Sequence, residues 1–292
     1  MPSPAPLPNA LRGALGTPLP DPLADPLPEH APDLLPDCAA APDTAPVVAE
    51  FRFYEELNDF LAPDHRRRAF EARCARAATV KHMIEALGVP HTEVELVLVN
   101  GESVGFDHVV RDGDRVSVYP RFETFDIAPL LRVRPQPLRL TRFVADAHLG
   151  GLARLLRMTG FDTLYDNGFA DREIAAIAAR DGRIVLSRDR ELLKHRAITH
   201  GCYVHALAPR LQLAELFERL QLARSARPFS RCMRCNGLLH AVDKAAVDAL
   251  LPPRVRAAHT RFSRCGDCGR VYWEGSHWRR MRALVDTLLS SS

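Results

Sequence analysis

Arg142-Phe143-Val144-Ala145-Asp146-Ala147-His148-Leu149-Gly150-Gly151-Leu152-Ala153-Arg154-Leu155-Leu156 is the stretch on which the fold turns. Its first four residues form a short apolar run with the character of a buried strand. Leu149, Leu152, Leu155 and Leu156 then recur at helical spacing, which predicts a helix over 149–158 closed by Gly160. The same grammar repeats downstream. Strands are expected at 161–165, 183–186 and 202–207, and helices at 171–180, 190–196 and 211–223. Strands alternating with helices build an α/β domain with a doubly wound parallel sheet. The functional crevice of such a sheet lies beyond the carboxyl ends of its strands.

Carboxylates stand at those ends. Asp146 follows the first strand, Asp166 the second, and Asp189 lies just beyond the third, while Asp171 opens the helix after the second strand. Acids converging on one crevice repel one another unless divalent cations neutralise them, and magnesium or manganese suits an oxygen-only ligand set. Structural roles compete for three of them: Asp171 and Asp189 as helix N-caps, and Asp166 as the start of an Asp-Asn-Gly turn. Asp146, wedged between an apolar strand and a helix, is the hardest of the four to explain structurally, which favours function there. Neither a P-loop nor a lysine-bearing fifth strand is present to suggest other folds with acidic strand ends.

Cys232, Cys235, Cys265 and Cys268 form two C-x-x-C pairs, the spacing at which thiolates grip a tetrahedral zinc ion. Gly237, Gly266 and Gly269 follow the pairs, where a knuckle must turn tightly. Two disulfides are the competing reading. They need an oxidising compartment, and an odd total of seven cysteines does not favour one. Cys38, Cys74 and Cys202 have no partner spacing and read as packing residues. The first 50 residues hold one arginine against seven acids, whereas residues 224–292 hold 13 Lys/Arg against 5 Asp/Glu. The cysteine region is thus the basic end, the usual footprint of a nucleic-acid partner. Arg154 and Arg157 lie one helical turn apart, Arg188 and Arg190 flank Asp189, and Arg279, Arg280 and His277 interleave with Tyr272, Trp273 and Trp278. All are candidates for holding RNA by phosphate pairing and base stacking. No run approaches a membrane span and no secretory signal opens the chain, so a cytoplasmic protein without membrane contact is expected.

Upstream, 13 of the 23 prolines fall in the first 46 residues, and residues 1–47 read as a disordered tail. A strand over 47–53, an extended stretch at 69–75, a helix over 80–87 capped by Thr79, a run at 94–99, the Asn100-Gly101 turn and a strand at 115–119 follow. This small α+β order is that of a β-grasp. Val99-Asn100-Gly101 and Asp112-Gly113-Asp114-Arg115-Val116 resemble the ubiquitin-like sulfur carriers. Those carriers are activated at a terminal Gly-Gly, but here the last strand runs into Tyr119-Pro120-Arg121-Phe122-Glu123 and the chain continues, which excludes that chemistry in that form.

The run from Phe143 to Arg157, Arg183-Ile184-Val185-Leu186-Ser187-Arg188-Asp189-Arg190-Glu191-Leu192, the two cysteine pairs, and Tyr272-Trp273 with Gly275-Ser276-His277-Trp278 together resemble the Mut-seven C-terminal ribonuclease family, a PIN-like fold. The resemblance covers residues 141–282. It implies a metal-dependent ribonuclease in which Asp146, Asp189 and Asp171 match the first, last and middle acids, Glu173 lies near the middle one and Asp166 is the candidate fourth. A zinc ribbon at the C-terminal side aids RNA binding, and the ubiquitin-like module in front offers a surface for a protein partner. The domains implied are a tail at 1–47, a β-grasp at 48–126, a linker at 127–140, a PIN-like domain at 141–225 and a zinc ribbon at 226–292. An RNA-binding adaptor with a degenerate acidic site is the alternative, and a protein-interaction or toxin-type module is a third.

Overall fold

The structure, a computed structural model, describes residues 47–120, 132–133 and 141–290. The expected tail and most of the expected linker therefore lie outside the described residues. The first domain is a mixed five-stranded sheet, order β2-β1-β5-β3-β4, built from β1 (Val47–Phe53), β2 (Phe70–Cys74), β3 (Leu96–Val99), β4 (Glu102–Ser103) and β5 (Arg115–Tyr119). β1 and β5 are parallel at its centre. Along β1, Ala49, Phe51 and Phe53 point into the core while Glu50 and Arg52 face outward, the period-two pattern that fixes one buried face. α1 (Val80–Ala86) covers that face through Val80, Met83 and Ile84. Thr79 caps it by accepting a hydrogen bond from His82 N. Asn100 and Gly101, both left-handed (φ 53° and 90°), make the tight β3–β4 hairpin. This is the β-grasp-like, ubiquitin-like arrangement.

The second domain is a wholly parallel sheet, order β7-β6-β8-β9, of β6 (Arg142–Ala145), β7 (Asp162–Leu164), β8 (Ile184–Ser187) and β9 (Gly201–Tyr203). Alternation splits its core in two. Phe143, Ala145, Ile184 and Leu186 pack with α2 (Gly150–Met158) and α5 (Pro209–Arg219), whereas Val144 and Val185 pack with α3 (Asp171–Asp181) and α4 (Arg190–Leu193). Helices thus cover both faces, as parallel strands require. Gly160 (φ 97°) ends α2, and a Cβ there would overlap the Arg227 carbonyl, so the chain can pass this close only with glycine. β9 is shorter than the expected 202–207. Val204 N still donates to Ser187 O at 2.9 Å, but Arg188 takes the carbonyls of Val204, His205 and Ala206, and Glu215 takes the amides of His205 and Ala206, so the ladder goes no further. α4 likewise stops at Leu193 rather than 196.

The cysteine region folds as an antiparallel sheet, order β10-β11-β12, of β10 (Leu239–Val242), β11 (Phe262–Cys265) and β12 (Val271–Trp273). The long connection from β10 to β11 carries α6 (Lys244–Val247) and α7 (Pro253–Ala258), and Val247, Leu251 and Phe262 form a small core with Trp273 against it. α8 (Ser276–Ser290) then leaves the ribbon, and Leu284, Leu288 and Leu289 pack into the core of the parallel sheet.

Both edges of the parallel sheet are closed by side chains from the neighbouring domains. At β7, Thr163 N donates to Asn236 Oδ1 at 3.0 Å; at β9, Tyr203 N donates to Glu93 Oε1 at 2.5 Å. An edge amide so occupied cannot template another strand.

Candidate functional site

The order β7-β6-β8-β9 reverses direction between β6 and β8, which opens a crevice at their carboxyl ends. Asp146 directly follows β6 and is 7% exposed. Ser187, fully buried at the end of β8, donates through Oγ to Asp146 Oδ2 at 2.7 Å and accepts from Asp189 N at 2.8 Å. Asp146 N is itself held by Leu186 O at 3.0 Å. Asp189 caps α4, its Oδ1 accepting from Glu191 N at 2.8 Å. Ser187 therefore links the two acids through one hydroxyl, and each carboxylate keeps a second oxygen that accepts no hydrogen bond from the described residues. Sequence reading missed Ser187. The signal was a hydroxyl in an otherwise apolar strand end, two residues before an acid.

The other two acids are placed differently. Asp166 Oδ1 accepts from Gly168 N at 2.8 Å, so it closes its own turn. Asp171 is exposed at the first position of α3. The N-cap is Ala170 rather than Asp171, and Glu173 satisfies the Ala170 amide at 2.8 Å. Among the described residues, the one group of three or more His, Cys, Asp or Glu donors lying within 4.8 Å of one another is the four cysteines. The four aspartates do not form such a group. The residue types at the crevice fit a hard cation, with Asp146 and Asp189 as the pair that the fold links.

Three of the arginines expected to meet phosphates are committed elsewhere. Arg157 is buried and donates to Thr163 O at 2.9 Å and Arg234 O at 2.8 Å, a brace between α2, β7 and the first knuckle. Burial lowers its pKa, offset in part by Cys235, Cys232 and Asp162. Arg188 is spent on the β9 loop as described. Arg190 donates to Phe60 O at 3.0 Å, in the β-grasp domain. Arg154, Arg279, Arg280 and His277 are exposed, and Arg282 pairs with Asp286 at 2.8 Å.

The four sulfurs are gathered for one ion: Cys232 Sγ lies 3.6 Å from Cys268 Sγ, and Cys235 Sγ 3.4 Å from Cys265 Sγ. Burial opposes ionisation of Cys232. The Tyr272 hydroxyl, 3.0 Å from its sulfur, and the amides of Cys235 and Arg234 outweigh that and bring its pKa down to about 6. Burial and the neighbouring thiols push Cys235 up to about 12. A first thiolate is thus prepared, and the other donors must deprotonate on binding a cation. Four sulfurs at this spacing fit tetrahedral zinc. The left-handed residue of the first knuckle is Asn236 (φ 74°), not Gly237, and a Cβ at Gly237 would press on the exposed Asp267 carboxylate, which could swing aside. In the second knuckle Gly269 (φ 70°) takes that role. Asn236 Nδ2 also donates to Asp162 Oδ1 at 2.8 Å. Burial opposes ionisation of Asp162, but Arg183 and Asn236 hold its pKa below the usual carboxylate range.

Between α2, the ribbon and α8 runs a groove of about 1450 Å³. Eight arginines line it against one acid, Glu274, and Tyr165, Phe229, Tyr272 and Trp278 supply aromatic faces. Arg154, Arg280 and His277 belong to it; Arg279 does not line it. Arg270, which alternates with the ribbon aromatics in the sequence, lines the groove too, whereas Arg210, Arg234 and Arg261 are lining residues that sequence reading did not single out, although Arg234 directly precedes Cys235. Tyr165 ties the groove to the crevice, since its hydroxyl donates to the carbonyl of Ala147, next to Asp146, at 3.0 Å.

Comparison with known proteins agrees with this architecture. The family model described as Mut7-C RNAse domain matches residues 141–285, and that described as Mut7-C ubiquitin matches residues 46–126. A search of the curated proteins found no match. Among solved structures, the small archaeal modifier protein 1 of Haloferax volcanii is similar at 19% identity over 26% of this chain and 99% of its own, with a TM-score of 0.22. A second structure of that modifier is similar at 18% identity over 27% of this chain and 99% of its own, also at 0.22. With its Mut7-C ubiquitin domain in front of a Mut7-C RNAse domain, the chain belongs to the Mut7-C family.

Proposed function

We propose that the chain is a magnesium- or manganese-dependent ribonuclease with a PIN-like catalytic domain, which draws single-stranded RNA along the arginine- and aromatic-lined groove toward Asp146 and Asp189. The observation that carries this reading is the Asp146–Ser187–Asp189 hydrogen-bonded chain at the point where the strand order reverses. Asp146 and Asp189 would hold the divalent cation, which supplies charge neutralisation at the scissile phosphate and a lower pKa for the attacking water. Ser187 fixes Asp146 and excludes water from one of its oxygens. Arg154 and Arg280 pair with phosphates, and Tyr272 and Trp278 offer faces for bases. Zinc on the four thiolates is structural and keeps the far wall of the groove folded. Thiolate donors fit a reducing compartment such as the cytoplasm. Among the described residues no helix is long and apolar enough to cross a membrane.

The test is Asp146→Asn and Asp189→Asn, each of which removes a charge and nearly keeps the shape. Cleavage of single-stranded RNA should fall on the order of a hundredfold or more while RNA affinity stays. A wild-type rate in Asp146→Asn would end the nuclease assignment of these acids. The second reading, an adaptor that holds RNA without cutting it, is favoured by the failure of Asp166 and Asp171 to join Asp146 and Asp189 in one group. Wild-type protein that binds RNA and leaves it intact with either metal would establish that reading.

A further inference from the structure

Arg190 begins α4 one residue beyond Asp189, yet its guanidinium is spent on the β-grasp domain. Nη1 donates to Phe60 O at 3.0 Å and Nη2 to Asp59 O at 3.4 Å. The same group lies over the Phe60 ring, 4.9 Å from its centroid, and 5.8 Å from that of Tyr203. Phe60 is buried and meets Tyr203 and His205 edge-on at 5.2 and 5.7 Å. The loop that presents the two carbonyls is locked by the buried Asn58, which donates to Phe53 O and Glu55 O and accepts from Arg67 N. The domain behind it is latched independently, by Glu93 on Tyr203 N and Arg219 and by His91 on Ile198 O at 2.8 Å. α4, by contrast, has four residues, too few to hold its own start by helical cooperativity.

We infer that the β-grasp domain is a positioning element of the acidic site: Arg190 is a strut that fixes Asp189 by tying the start of α4 to the Asp59 and Phe60 carbonyls. This rests on the nuclease reading of Asp189. It assigns Arg190 to the acid beside it rather than to substrate phosphate.

The experiment compares the full chain with Arg190→Ala and Arg190→Lys, using single-stranded RNA cleavage with manganese and amide hydrogen exchange. In Arg190→Ala, kcat should drop about tenfold with KM unchanged, and residues 189–194 should exchange at least about tenfold faster while β1 and β5 keep their protection. Arg190→Lys, which keeps the cation over Phe60, should recover part of both. A raised KM with a shallower salt dependence and unchanged kcat would make Arg190 a phosphate contact and overturn the inference. Unchanged kcat and unchanged exchange would also overturn it. If the wild type cleaves no RNA, the nuclease reading fails by itself, and exchange at 189–194 still decides the strut: faster exchange in Arg190→Ala upholds it and unchanged exchange overturns it.

Discussion

The two edges of the parallel sheet are closed in the same way with opposite chemistry. At β7 the edge amide of Thr163 meets a neutral side-chain amide, Asn236, which is part of the first C-x-x-C knuckle. At β9 the edge amide of Tyr203 meets a carboxylate, Glu93, whose other oxygen accepts from Arg219 at 2.5 Å. Burial works against the Arg219 charge, but Cys202, Glu93 and Glu215 raise its pKa further, so the guanidinium stays charged. One edge thus borrows its rigidity from the four-cysteine loop, and the other from a desolvated ion pair. The ribbon edge should fail when zinc is lost, and the β-grasp edge when a charge is removed.

The largest effect is expected at the ribbon. Cys232→Ser should abolish zinc binding and unfold the knuckle, freeing Thr163 N and the Arg157 brace, because structural zinc binding is coupled to local folding. Metal analysis with hydrogen exchange should show no zinc, loss of protection at β7 and β10–β12, and intact protection at β9. Equal loss at both edges would break the contrast. Next comes Glu93→Gln, which keeps the shape but leaves Arg219 with Glu215, 3.4 Å away, as its one carboxylate partner among the described residues, beside the neutral Tyr203 carbonyl at 2.8 Å. Removing one partner of a buried pair costs about 3–5 kcal/mol, and the remaining glutamate should bring this toward about 3 kcal/mol in denaturant unfolding. Asn236→Ala should cost about 2 kcal/mol, from an unsatisfied buried amide plus a left-handed backbone without asparagine. A loss larger than that of Glu93→Gln would reverse the ranking of the edges. Smallest in stability is Arg154→Ala with Arg280→Ala. Folding should be unchanged while the slope of log affinity for single-stranded RNA against log salt falls by about 1.4, two phosphate contacts at about 0.7 each. Arg279→Ala, outside the groove lining, should leave that slope unchanged.

What the sequence disclosed follows the same division between near and far. β6, Asp146 and the start of α2 are written in adjacent residues, as are the C-x-x-C pairs and the Asn100-Gly101 turn, because strand period, helix period and ligand spacing are local. Asp189 as the α4 cap was legible for the same reason. Arg157, Arg188 and Arg190 were not. Their spacing beside acids suggests phosphate contacts, yet their partners are carbonyls up to 131 residues away, brought near only by packing. Asn236 and Glu93 gave no signal at all, since an edge amide 73 or 110 residues distant is invisible to periodicity. Asp171 illustrates the reverse: a good capping residue by type sits one position too late, and Glu173 does part of the work.

The return of α8 to the parallel sheet sets an order of assembly. Leu288 completes a core whose other buried members, from Phe143 to Ala226, leave the ribosome before the ribbon does. Synthesis is vectorial, and domains tend to fold as units when their last element emerges. The ribbon is therefore made, and has its cysteines ready for metal, while the parallel sheet still lacks one of its walls. If the four cysteines hold zinc as proposed, a cell short of that metal would meet the defect during translation, in an unfinished chain, rather than afterwards in a finished one.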